Sequence, residues 1–107
     1  MSQDTQYQEL KVILHAPTPA ALERARHNAI NLRREVPEAD VRIIVNAQAV
    51  AAALDEAHPE LDALTWVCPN TLARIDRESR PPLRLLDRAA VLEIAYLQRD
   101  RWTYIRA

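Results

Sequence analysis

The chain holds one cysteine, Cys68, and the residues around it set what that thiol can do. In residues 64–77, LTWVCPNTLARIDR, a short apolar run ends at Val67 and a helix is expected to begin just after it. Pro69 suits the first helical position, where its missing N–H costs no hydrogen bond. Cys68 is then the N-cap residue, and the N–H groups of Asn70 and Thr71 can point at its sulfur. A thiol at the positive end of a helix dipole is biased towards thiolate. In the competing register Asn70 is the cap, the helix starts two residues later, and the sulfur is less favoured. Pro69 also removes one possible donor to the sulfur. The alternative role for Cys68 is that of a small buried hydrophobe at a strand end, the common fate of free cysteine.

The same pattern of strand followed by helix places other polar residues at comparable junctions. In an open parallel sheet the usable crevice lies beyond the carboxyl ends of the strands. His15, Asn46 and Cys68 occupy those ends, with Asn70 and Thr71 beside them. His15 can protonate a leaving thiol or sense pH, or it can be a polar loop residue without a role. His27 falls on the outer side of a helix and His58 precedes a proline in a turn. No histidine or carboxylate pair has metal-ligand spacing, and one cysteine cannot build a structural zinc site. No metal and no cofactor is therefore expected.

The elements that must position these residues follow from periodicity and punctuation. Residues 10–14 read as a first strand, apolar enough to be covered on both faces. Thr18 caps a helix with Pro19 at its first position. Along it Leu22, Ala25, Ala29, Leu32 and Val36 form one stripe, with Asn28 on its flank, and Pro37 ends it. Residues 41–45 are a second, β-branched strand. Asn46 is expected to cap the helix that follows, where Val50, Ala53, Leu54 and Ala57 share a face. Residues 64–67 are a third strand, residues 70–77 a short helix and residues 83–86 a short fourth strand. Asp87 caps a last helix over residues 89–99, and residues 102–106 return as a final strand. Alternating strands and helices predict an α/β fold: a three-layer α/β/α sandwich with a mostly parallel sheet of about five strands.

Composition narrows the function classes. The 107 residues make one domain, 49% hydrophobic, with residues 1–6 as a loose tail. A net charge of -1 provides no field to draw nucleic acid or anionic membrane. No apolar run approaches the ~20 residues needed to span a bilayer. The polar, acidic start is neither signal nor transit peptide, so a cytoplasmic location is expected. Glycine is absent, which excludes glycine-rich phosphate loops. It also means that the loop after the second strand must avoid positive φ, or that Asn46 must supply it. Arginine provides every basic residue except Lys11. Arg74, Arg77, Arg80, Arg84 and Arg88 form either an anion site near Cys68 or a solvated face balanced by Asp76, Glu78 and Asp87. In the last helix Ala90, Val91, Ile94 and Leu97 should face the sheet, while Leu92 and Tyr96 point the other way. With Ile30, also outside its helix's stripe, they mark a surface for self-association.

The V-C-x-N-T-L junction at residues 67–72 resembles the DsrE/DsrF-like (YchN-like) family. KVILHAPTP, ALERARHNAINL, IIVNAQAV and LQRDRWTYIR fit it in the same order, so the likeness runs over roughly residues 10–106. The place after the second strand, often glycine in that family, is Ala47 here. The resemblance implies a three-layer α/β fold, a homotrimer or homohexamer, and a cysteine that carries sulfur as a persulfide between donor and acceptor proteins. Under it Cys68 is the sulfur-accepting nucleophile. A non-catalytic oligomeric binding or scaffold protein of the same fold, with a structural Cys68, is the other reading.

Overall fold

A computed structural model describes residues 10–107 as five strands and four α-helices; the expected tail at residues 1–6 lies outside the described residues. The elements run β1 (Lys11–Ala16), α1 (Pro19–Glu35), β2 (Asp40–Val45), α2 (Gln48–Asp55), a 3-10 turn (Asp62–Leu64), β3 (Thr65–Val67), α3 (Pro69–Ile75), β4 (Arg84–Leu85), α4 (Ala90–Arg99) and β5 (Thr103–Arg106). All strand pairs are parallel, in the order β4-β3-β2-β1-β5. The α/β sandwich expected from the alternation is the fold observed.

Strand order and handedness together fix the layers. From β1 to β4 the chain steps one strand at a time in one direction, so right-handed crossovers put α1, α2 and α3 on one face. From β4 it returns across three strands to pair β5 with β1, and the same handedness sends α4 to the opposite face. Two cores result. Val12, Leu14, Val41, Ile43, Val45 and Val67 pack under α1, α2 and α3. Ile13, Ile44, Cys68 and Leu86 pack under Ala90, Ile94 and Leu97 of α4. The alternation along β1 and β2 thus splits apolar side chains between two faces, which explains why those strands read as almost continuously apolar.

One helix cannot cover five strands, and the uncovered part of the α4 face is closed by long side chains. The Arg42 guanidinium stacks 5.1 Å from the Trp66 ring and 4.6 Å from that of Trp102, and Arg84 lies 5.4 Å from Trp66. Stacked guanidinium and indole shield the sheet while leaving charge at the surface.

Several local expectations are corrected. β1 extends to Ala16, so His15 lies within the strand and not after it. Asn46 does not cap α2: the N-cap is Ala47, with φ 50° and ψ −138°, and no side chain caps that helix. Asn46 bonds to His15 instead, so positive φ falls on an alanine. Asp87 does not cap α4, whose N-cap is Ala89. Val91 faces solvent at 76% exposure; only Ala90, Ile94 and Leu97 of that helix are buried. Ala57 is exposed beyond the end of α2.

Within the arginine cluster, Arg77, Arg80 and Arg88 take partners other than Asp76, Glu78 and Asp87, while Arg74, Arg77, Arg84 and Arg88 are exposed, as a solvated face would be. Arg80 donates to the carbonyls of Ala53 and Leu54 at 2.8 and 3.0 Å, and to Asp62 Oδ2 at 2.9 Å. Arg26, buried on α1, donates to the Glu56 carbonyl at 2.7 Å and lies 3.7 Å from Asp62 Oδ1. Two guanidiniums therefore hold the carbonyl end of α2, where the helix dipole is negative, and buried Asp62 lies between them, hydrogen-bonded to Arg80 and 3.7 Å from Arg26. Arg77 pairs with Asp55, and Arg88 with Glu93.

Two outcomes follow from these contacts. Asp62→Ala leaves two arginines without their counter-charge and is expected to cost about 3–5 kcal/mol, read as a lower urea midpoint, whereas Asp55→Ala at the exposed pair leaves the midpoint in place. Ala47→Gly removes the steric cost of its backbone angles and is expected to raise stability by about 1 kcal/mol in the same assay.

Candidate functional site

Cys68 is the N-cap of α3, the first of the two registers expected, with φ −71° and ψ 121° and Pro69 at the first helical position. The strand ladder carries the chain to this point: the Cys68 N–H donates to the Val45 carbonyl at 3.1 Å, and its own carbonyl accepts from Leu72 N–H at 3.2 Å. The side chain alternates onto the α4 face. There its sulfur meets a donor 22 positions away that no local signal marks, the Ala90 N–H, at 3.5 Å.

That contact has a topological cause. The connection after β3 lies on one face of the sheet and the connection after β4 on the other. β3 and β4 are neighbours, so the reversal falls between them. The crevice of an open α/β sheet forms at such a reversal. Cys68 sits there, at the amino end of α3 and against the first residue of α4. The Cys68 side chain makes no capping hydrogen bond within α3; Asn70 and Thr71 act on the sulfur as neighbouring dipoles that favour its anion.

Burial alone pushes the Cys68 thiol up and is the largest single influence. The donors from Ala90, Thr71 and Asn70 together outweigh it, and the thiol is held below its ordinary value. The side chain is only 5% exposed. Thr71 is buried as well, and its oxygen accepts from the Ala47 N–H at 3.2 Å. That bond fixes the Thr71 side chain beside Cys68. The strained backbone at Ala47 therefore serves to aim an N–H at Thr71. Asn70 contributes its backbone only; its side chain is exposed.

His15 and Asn46 are brought together, but not onto the thiol. His15 Nε2 lies 2.9 Å from Asn46 Oδ1, and Nδ1 lies 2.6 Å from the hydroxyl of Tyr104 on β5. With an amide oxygen at Nε2, that nitrogen carries the proton and Nδ1 accepts from Tyr104. Tyr104 is the member of this chain that sequence reasoning missed. Its only signal was its place one residue before Ile105 in the last strand, which says nothing without the β1–β5 pairing. β2 lies between β1 and β3, so about 10 Å separates the His15 and Cys68 backbones. His15 does not act directly on the sulfur.

A groove of about 520 Å³ lies elsewhere, between α1 and the end of α2, against Glu23, Arg26, His27, Glu56 and His58. Among the described residues no group of three or more His, Cys, Asp or Glu side chains can hold a metal ion. No described helix is long and apolar enough to cross a membrane. On α4, Leu92 is 46% exposed, and Tyr96 is half-buried with the guanidiniums of Arg88 and Arg99 at 4.8 and 4.6 Å from its ring. Ile30 is half-buried against the larger core and is not free apolar surface.

No protein-family model matches the chain, and no curated protein sequence matches it.

The site makes a pH-dependent contribution whose sign is fixed by the direction of the shift. Ionised Cys68 is favoured in the folded state. Its stabilising effect is complete above the unfolded-thiol value of about 8.5 and vanishes as pH falls through the lower folded value. The stability difference between wild type and Cys68→Ala should therefore rise with pH across that window. Thr71→Val should move the thiolate absorbance titration of Cys68 upwards and narrow the window.

Proposed function

We propose that this chain is a DsrE/DsrF-like protein that handles sulfur through Cys68. The observation that carries the reading is the Ala90 N–H donated to the Cys68 sulfur at 3.5 Å at the reversal of the sheet, where Cys68 also stands at the N-cap of α3. Thiol exchange needs a thiolate and no general-base triad. The Cys68 thiolate attacks the outer sulfur of a donor persulfide; a new S–S bond forms, the donor's S–S bond breaks, and the donor leaves as its thiolate. An acceptor thiolate then attacks the outer sulfur on Cys68, and Cys68 leaves as thiolate. No electrons are gained or lost overall, and one proton balances each thiolate that is quenched. Donor and acceptor are thiol-bearing partners in a reducing, cytoplasmic setting.

The burial of Cys68 limits what reaches it. At 5% exposure the reading favours sulfur delivered on a slim, extended group or as a hydropolysulfide over a rigid protein surface. The exposed side chains of Val91 and Leu92 support self-association through the outer side of α4, close to that mouth. In such a homotrimer or homohexamer the contact would lie next to the crevice.

A second reading has its own observation. Cys68 is 5% exposed and packs with Ile44, Leu86 and Ile94, as a structural cysteine in a non-catalytic oligomeric scaffold would.

Intact-mass measurement after incubation with a persulfide donor separates the two. The sulfur-handling reading expects one added sulfur, removed by reductant and absent from Cys68→Ser. Unchanged mass, together with a thiol titrating at or above the free value, would leave only the scaffold.

A further inference from the structure

Among the described residues β5 is the longer of the two unpaired sheet edges: β4, at the other side, has two residues and β5 has four. Ala107 N–H donates to the His15 carbonyl at 2.9 Å. In a strand the backbone groups of successive residues point to opposite sides, so Thr103 and Ile105 also face β1. The N–H and C=O groups of Tyr104 and Arg106 face outwards, and among the described residues no strand pairs with them. On the α1 face beside this edge, Ile105 is 41% exposed. It borders an apolar groove of about 310 Å³ that includes Leu14 and Leu32. α1 leaves this strip open because its crossover lies over β1 and β2.

We infer that the edge pairs with β5 of a second copy, antiparallel, about a two-fold axis through Ile105. The register follows from the backbone. In an antiparallel pair, outward-facing residues must oppose one another to exchange two hydrogen bonds. Centring on Ile105 sets Tyr104 against Arg106 of the partner subunit, and Arg106 against Tyr104 of the partner subunit. All four outward groups on each chain are then satisfied. Centring on Tyr104 or on Arg106 would leave some of them unpaired.

The side chains agree with the same register. Tyr104 and Arg106 share the α4 face, so each tyrosine ring meets a guanidinium of the other copy, a cation–aromatic pair. Arg106 has no ion pair among the described residues. On the other face the two Ile105 side chains meet at a non-hydrogen-bonded pair, the closer kind. The contact is isologous and closes after two copies. It also brings an arginine of the second copy to Tyr104, the outer member of the hydrogen-bonded chain through His15 to Asn46. This surface is separate from the outer side of α4 and does not depend on any chemistry at Cys68.

Cross-linking tests both the contact and its register. At a non-hydrogen-bonded pair the Cα atoms lie about 4.5 Å apart, within disulfide reach. In a Cys68→Ser background, Ile105→Cys should oxidise to a covalent dimer, whereas Arg106→Cys, offset from its own copy, should not. Sedimentation should show an even number of wild-type copies, two from this contact alone or six where α4 also joins three, halved in Arg106→Pro, which deletes an outward N–H. Absence of the Ile105→Cys cross-link, or cross-linking through Arg106→Cys in its place, overturns the proposal. So does a wild-type monomer at high micromolar concentration, including one whose edge takes up an added extended peptide.

Discussion

Everything distinctive in this fold depends on the handedness of its crossovers. Right-handed connections in a parallel sheet leave no choice of face once strand order is set. Because β4 returns to β5 on the far side of β1, α4 alone crosses to the second face. That reversal splits the apolar side chains of β1 and β2 into two cores, brings the amino ends of α3 and α4 to one sulfur, and leaves Trp66, Trp102 and Arg42 to close the sheet that a single helix cannot cover.

A chain without glycine must end its helices by other means. Where a glycine would adopt positive φ, this protein uses Ala47 (φ 50°), Asp76 (φ 55°) and Arg101 (φ 76°). Asp76 is the left-handed C-cap of α3, a role that aspartate tolerates better than most residues. The end of α2 has no such cap, and its carbonyls are met by the guanidiniums of Arg26 and Arg80. Arginine suits this because its planar fork reaches several acceptors at once and keeps its charge when buried.

Which parts of this were legible beforehand follows from the range of the forces involved. Thr18 with Pro19, and Cys68 with Pro69, are local signals, and the helix starts they mark are where expected. The strands β1, β2 and β3 were visible because burial on both faces makes a run apolar whatever its neighbours. The contacts of Asn46 and Asp62 were not visible. Asn46 is a good cap by type, yet a histidine on the adjacent strand takes its oxygen, and nothing local records that competition. Arg26 lies within the polar-looking stretch of α1, and its burial is fixed by Asp62, 36 positions later. Likewise the candidate site could be placed at the carboxyl end of the sheet, but the donor from Ala90 depends on strand order, which periodicity does not reveal.

The balance at Cys68 bears on what a thiol there is suited to do. Its anion is stabilised by N–H and O–H dipoles and not by a neighbouring cation. Such fixed dipoles act at contact distance and are little affected by salt, unlike an exposed ion pair. Lowering a thiol's pKa increases its thiolate fraction but reduces the nucleophilicity of that thiolate, while making it a better leaving group. A catalyst that only attacks gains little from this beyond ambient pH. A carrier has to attack in one step and depart in the next, and for it the same dipoles assist the second step by holding the charge that returns to sulfur. Dipoles that hold the charge on a leaving sulfur are what the proposed carrier role would use in its second step.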